Sequence, residues 1–282
     1  MGGRPMLTER SGRVREAHKL LRRAAREKAG LFLAEGPQAV REAVGSGDGR
    51  VVELFATATA AARWAPIVAA AEGAGVPVHP ADEAALAALS ETVTPQGLVA
   101  VCRSLTVDLP AALGAEPLLV AVLAEARDPG NAGTVIRCAD AAGADAVVLT
   151  HGSVDPQGGK AVRASAGSVF HLPVSAGAPA ADAVAALRER GLTVLAADGA
   201  GSLDLDQAED DGLLGGPVAW LFGNEAWGLP AEVGALADHV VRVPIYGRAE
   251  SLNLATAAAV CLYGSARARR RASARRPDRP PA

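Results

Sequence analysis

Five short runs in the C-terminal half, LLVAVLAEA, AVVLTHG, TVLAADG, PVAWLFG and HVVRVPIYG, are apolar almost throughout, and helical segments lie between them. A strand with one wet face alternates polar and apolar residues. These runs do not alternate, so both faces of the sheet they form need cover, and a largely parallel sheet flanked by helices is the arrangement that supplies it. In such sheets ligands bind beyond the carboxyl ends of the strands. The loops that follow the runs are therefore the places to look for chemistry.

The N-terminal half alternates in the same way: LFLAEG, PQAVREAVG, VVELFATA, TAAARWAPIVAAAEGAG, VPVHP, ADEAALAALS and GLVAVCRS. It predicts a second, smaller α/β domain over 1–103. The pattern lapses into proline, glycine and small residues around SLTVDLPAALGAEP, so 104–116 reads as a linker, 117–264 as the second domain and 265–282 as a basic, disordered tail. Before the first strand, Val14, Ala17, Leu21 and Ala24 recur at helical spacing among basic residues, predicting one amphipathic helix over Ser11–Ala29, closed by Gly30.

The formal net charge of −3 conceals an asymmetry, because the basic ends, 1–28 and 265–282, flank a strongly acidic middle. Basic ends on an acidic body point to a polyanionic partner, nucleic acid above all, although a run of arginines also serves as a solvating tail. No stretch offers the roughly 20 continuous apolar residues of a membrane span. The N-terminus lacks the apolar core of a signal peptide, and Cys102, Cys138 and Cys261 are an odd number without metal spacing. A reducing, cytoplasmic setting is expected, with no metal.

Three strand-end loops carry more chemistry than connectors need. In EARDPGNAGTVIRCADAAG, Asp128-Pro129-Gly130 makes a turn and Asn131 is placed to cap the following helix, on which Arg137 lies opposite the apolar Val135, Ile136 and Ala139. In LFGNEAWGLP a buried strand stops at Gly223-Asn224-Glu225. In VPIYGRAESLNLATAAAVCLYG a helix opens near Ser251, which either caps it or faces a ligand. Taken singly, each loop reads as a cap or a solvated turn.

Together they resemble something specific. N-x-G-x-x-x-R at Asn131–Arg137, G-N-E-A-W-G-L at Gly223–Leu229 and P-I-Y-G-R-A-E-S-L-N at Pro244–Asn253 are similar, in order and spacing, to the three motifs of the SpoU (TrmH) family of the SPOUT superfamily, which are S-adenosylmethionine-dependent RNA ribose 2′-O-methyltransferases. The likeness spans Leu118–Gly264 and includes KAVRASAGSVFHLPV. FLAEGPQAVREAV and TVTPQGLVAV resemble the RNA-binding, ribosomal-protein-like domain that many ribosomal-RNA members carry. The second motif reads G-N-E where many relatives have G-S-E, which keeps hydrogen-bonding capacity but puts the loop's geometry in question.

The resemblance implies a trefoil-knotted C-terminal domain, a homodimer, S-adenosylmethionine as cofactor and RNA as substrate, with large-subunit ribosomal RNA favoured over transfer RNA. It assigns cofactor contacts to Leu221, Gly223, Val243, Ile245 and Leu252, and the acceptor site to Asn131, Arg137, Glu225, Ser251 and Asn253. Arg137 is expected to assist removal of the 2′-hydroxyl proton. A guanidinium has a pKa above about 12, so it acts either with that value depressed or as a charged stabiliser of the developing alkoxide. Lys160 and Arg163 are candidate phosphate contacts. A catalytically idle RNA-binding protein is the rival from another class. A dinucleotide-dependent oxidoreductase is not, because no G-x-G-x-x-G follows an early strand.

Overall fold

The computed structural model describes residues 5–274. They form two compact units: the first runs to Leu105 and also takes Asp155–His171, and the second takes Thr106–Val154 and resumes at Leu172.

In the first unit the order is α1 (Gly12–His18), α2 (Arg23–Ala29), β1 (Leu31–Glu35), α3 (Pro37–Gly45), β2 (Val51–Ala56), α4 (Ala58–Arg63), α5 (Ala65–Gly73), β3 (Val78–Pro80), α6 (Glu83–Ala88) and β4 (Leu98–Arg103). The strands form one sheet in the order β1-β4-β2-β3. Here β4 is antiparallel to both neighbours and β2 is parallel to β3. Phe55, Leu86, Leu89 and Val99 fill the core on one side, with Val14 and Leu20 packed onto it.

The single helix expected over Ser11–Ala29 is broken. Residues Lys19–Leu21 form a 3₁₀ turn and Arg22 is extended, with φ −96° and ψ 131°. The cause is Arg26, only 8% exposed. Its Nη1 donates to the Leu20 and Leu21 carbonyls at 2.9 Å each, the acceptors a continuous helix would have used for Ala24 and Ala25. The guanidinium also pairs with Asp155 at 2.7 Å. Gly30 closes α2 in the left-handed conformation, as its position in the sequence predicts.

The second unit comprises β5 (Thr106–Val107), α7 (Leu109–Leu113), β6 (Leu119–Leu123), α8 (Pro129–Ala141) and β7 (Ala146–Thr150). After α9 (Gly159–Ala164), which belongs to the first unit, come β8 (Val174–Ala178), α10 (Ala180–Glu189), β9 (Thr193–Ala197), β10 (Leu203–Asp204), α11 (Leu205–Asp210), β11 (Val218–Phe222), α12 (Ala231–Gly234), β12 (His239–Arg242) and α13 (Leu254–Ala274). Eight strands form one sheet, β10-β12-β9-β11-β6-β7-β8-β5. Every neighbouring pair is parallel. All five apolar runs are strands of it, and the mixed α/β architecture is the one their pattern dictates. Trp220, fully buried, stacks on Phe222 with ring centroids 6.2 Å apart.

Two expectations about the C-terminal half are corrected. The stretch 104–116 is built structure: β5 pairs with β8, and Asp108 caps α7 by accepting from Ala111 N at 2.9 Å. The basic tail is helical as far as Ala274, because Ser265 and Ala268 are buried and the Ser265 hydroxyl accepts from the Trp220 indole N–H at 2.9 Å. Its last eight positions lie outside the described residues. Among the described residues no helix is long and apolar enough to cross a membrane.

Candidate active site

The chain leaves β6 outward through β7 and β8, then returns to β9 on the far side of β11, so β6 and β11 are neighbours at the point where strand order reverses. A crevice opens at such a point beyond the carboxyl ends of the strands. The loop after β6 and the loop after β11 therefore run side by side, joined by Ala124 N donating to the Phe222 carbonyl at 2.8 Å. Asn224, 6% exposed, tightens the junction: its Nδ2 donates to the Glu125 carbonyl at 2.7 Å and its Oδ1 accepts from Ala226 N at 2.8 Å. Glu125 is held at φ 54°, one of two non-glycine residues with positive φ among the described residues. Asparagine in the G-N-E motif thus supplies a donor and an acceptor at once across two loops.

Pro129 occupies the first turn of α8, which makes Asp128 the cap: its Oδ1 accepts from Asn131 N at 2.8 Å. Asn131, expected to cap, is instead inside the helix with its side chain free to reach across. Its Nδ2 donates to Glu225 Oε1 at 3.1 Å, and its Oδ1 accepts from Asn253 Nδ2 at 3.0 Å. Glu225 also accepts from the Arg127 and Asp128 backbone N–H groups, both at 3.3 Å. Asn253 in turn uses its Oδ1 to cap α13, accepting from Ala255 N at 2.9 Å and Thr256 N at 3.3 Å. An ionised carboxylate only accepts, so Glu225 fixes which end of the Asn131 amide faces it, and Asn131 fixes Asn253. One hydrogen-bonded chain, Asn253 to Asn131 to Glu225, joins the three loops.

Beside this chain is a cavity of about 530 Å³, within the range of small-molecule sites. Gly223, Val243, Ile245, Ser251, Leu252 and Asn253 line it, together with Asp198, Glu225 and Glu250. No lysine or arginine is among the lining residues, so three carboxylates give the cavity an acidic character that suits a cationic ligand and disfavours a phosphate-bearing one. Its walls are close-set backbone. A Cβ at Gly223 would collide with the main chain of Gly228 and Leu229, both within 2.6 Å.

The expected residues are not all gathered. Ser251 lines the cavity and does not cap, since α13 begins at Leu254. Leu221 is not among the lining residues; its side chain is in the sheet's core with Val122 and Ala196. Arg137 is exposed on α8 and does not line the cavity of its own chain. Six residues after Asn131, it stands about 9 Å further along the helix and on a different face. Arg163 is ion-paired with the buried Glu35 at 2.7 Å. Sequence reasoning passed over Trp227, which is 51% exposed at the cavity with the Arg127 guanidinium 4.8 Å from its ring centroid. An isolated large aromatic in a glycine-flanked loop is the signal that marked it.

Fold and site together define a class: an all-parallel sheet whose ligand cavity is tied from three loops at the carboxyl ends of its strands. The profile of the SpoU rRNA Methylase family matches residues 118–263, and that of the MRM3-like substrate binding domain matches residues 12–100. The chain belongs to the SpoU rRNA Methylase family. It is 35% identical over 255 residues to the 23S rRNA (guanosine(2553)-2′-O)-methyltransferase RlmP of Bacillus subtilis, covering 89% of this chain and 94% of that one. It is 31% identical over 268 residues to a 23S rRNA (uridine(2479)-2′-O)-methyltransferase of Streptomyces viridochromogenes, covering 93% and 92%. Among solved structures, the AdoMet-bound rRNA methyltransferase of Sinorhizobium meliloti superposes with a TM-score of 0.80 at 31% identity, over 93% of this chain and 97% of its own.

Proposed function

We propose that this chain methylates a ribose 2′-hydroxyl of 23S ribosomal RNA with S-adenosylmethionine as donor. The observation that carries the reading is the Asn253–Asn131–Glu225 chain, which fastens three distant segments around one acidic cavity. The names of the two relatives above, both 23S rRNA 2′-O-methyltransferases, support the substrate, and the AdoMet-bound neighbour supports the donor. When bound, S-adenosylmethionine supplies an electrophilic methyl on a cationic sulfonium.

The rest is the work of this chain's residues. Val243, Ile245 and Leu252 offer an apolar wall, and the main chain at Gly223 offers close-set peptide groups to the cofactor. Asp198, Glu225 and Glu250 provide the complementary charge. Ser251 and the Asn131–Asn253 pair hold polar groups at the mouth, where an acceptor ribose needs orientation. Arg137 is assigned to the 2′-oxygen, donating hydrogen bonds as negative charge develops there.

Because Arg137 does not line its own chain's cavity, this assignment needs a second copy, and we infer a homodimer. Supporting it, α13 exposes a stripe at Thr256, Val260 and Tyr263, with Val260 40% and Tyr263 47% exposed. Their spacing is that of a helix-packing seam. The unit containing α1–α6 is assigned to RNA binding and the other to transfer, and the trefoil knot of the family is part of the same reading.

Calorimetry with S-adenosylmethionine and a ribose-methylation map of total RNA from cells with and without the gene test it. One-site binding and one 2′-O-methyl position lost from 23S rRNA are expected. Absence of heat supports an idle binding protein, and a site lost from transfer RNA moves the substrate.

A further inference from the structure

The family profile ends at residue 263, yet α13 continues to Ala274, and its last turns are fixed to the domain. Buried Ser265 and Ala268 set the helix's rotation, so each arginine on it has a defined place. Arg267 and Arg271, one turn apart, both engage Glu209, at 3.0 and 2.7 Å, so the carboxylate holds both side chains and offsets one of their two charges. Arg269 and Arg270 point elsewhere. They line a cavity of about 580 Å³ with Ser273 and the glycines Gly143, Gly215 and Gly216.

This cavity lies at the other edge of the same sheet. Leu118 and Pro217, which precede β6 and β11, line it, so it opens at the amino ends of the strands whose carboxyl ends carry the candidate active site. Strands of five residues separate the two by about 17 Å. The chemistry is reversed across that distance: two arginines and no carboxylate line this cavity, three carboxylates and no cation line the other. No aromatic side chain lines it, so it offers nothing on which a base would stack. A Cβ at Gly143 or Gly216 would meet nothing within 4 Å, so the peptide backbone there is open to close approach.

We propose that this cavity is an anchoring site for a phosphodiester of the substrate RNA, gripped by Arg269 and Arg270 outside the methyl-transfer pocket. The inference rests on the RNA reading above. Guanidinium forks suit phosphate oxygens, and phosphate contacts position an RNA without reading its sequence. Glu209 holds Arg267 and Arg271 away from this cavity and offsets one of their charges, while Arg269 and Arg270 line it with no carboxylate beside them. The anchor sets where the RNA lies, while the chemistry stays at the opposite edge.

The test compares two double variants of the full chain that remove the same charge, R269Q/R270Q and R267Q/R271Q. The probe is 23S rRNA transcribed in vitro, retained on filters over a series of KCl concentrations without cofactor. Circular dichroism melting verifies that each variant is folded, and R269K/R270K serves as a charge-preserving control. For R269Q/R270Q the slope of log K against log[KCl] should shrink by about 1.4 to 1.8, the loss of two phosphate contacts. R267Q/R271Q should lose less than half as much, and the lysine variant little. In transfer assays R269Q/R270Q should raise KM for RNA and leave kcat and S-adenosylmethionine affinity unchanged. Equal slope losses in both glutamine variants, or none in R269Q/R270Q, would overturn the anchor while wild-type ribose methylation still upheld the enzyme. A wild-type chain that neither retained nor methylated the RNA would remove the underlying reading as well.

Discussion

Asn131 shows how much a single amide decides. Its carbonyl and NH₂ ends are assigned by Glu225 on one side and Asn253 on the other, so Asn131→Asp places an acceptor where a donor is required. We expect kcat/KM to fall about 10- to 100-fold, the value of one or two lost hydrogen bonds with an unsatisfied partner, while S-adenosylmethionine affinity holds. Arg137→Ala should abolish transfer and leave cofactor affinity intact; loss of cofactor binding in that variant would contradict its assignment to the acceptor oxygen. The thiols give a test of packing. Burial pushes Cys102 and Cys261 up from 9.0 to about 12, so the folded state keeps protons that the unfolded chain releases from about pH 9. Stability from this source is complete below pH 9 and is lost as pH rises toward 12, and Cys261→Ala should flatten the alkaline limb of a urea-unfolding series. The motif residues could be picked out in the sequence because their types and spacing are unusual. Roles were harder: Pro129 shifts the cap of α8 to Asp128, and that single displacement frees Asn131 for the site.

At the scale of elements, α13 does two separable jobs through Asn253, capping its own helix and bonding Asn131. Asn253→Asp retains a capping oxygen but loses the donor, so melting temperature should stay near wild type while transfer falls. Asn253→Ala loses both, costing about 0.5–2 kcal/mol in addition. At the helix's other end, Ser265→Ala leaves the Trp220 indole N–H buried without its acceptor. Urea denaturation should report a loss of about 1–3 kcal/mol with an unchanged m-value. The five apolar strands could be identified by composition alone. β8, with the sequence VSAGA, lacks that signature and becomes a strand because β7 and β5 pair with it. The break between α1 and α2 was equally hidden, since it depends on Arg26 reaching Asp155, 129 residues away.

For the whole molecule, the strand-order reversal is what brings residues 131, 225 and 253 together, and no local pattern encodes it. Linear sequence also assigns Asp155–His171 to the half that surrounds it, whereas its contacts belong to the first unit. The motif resemblance supplied the convergence that periodicity could not. If the inferred dimer is formed through α13, Tyr263→Glu should shift the species in sedimentation velocity from dimer toward monomer and lower transfer with it, because Arg137 then loses access to a neighbouring cavity. The central claim is that three strand-end loops build one pocket for methyl transfer to a ribose. Its most direct measurement is incubation of the purified chain with tritiated S-adenosylmethionine and unmethylated 23S rRNA, followed by nuclease digestion and nucleoside chromatography. The account predicts label in one 2′-O-methylnucleoside with wild type and none with Arg137→Ala. Label on a base, or no label with wild type, would contradict it.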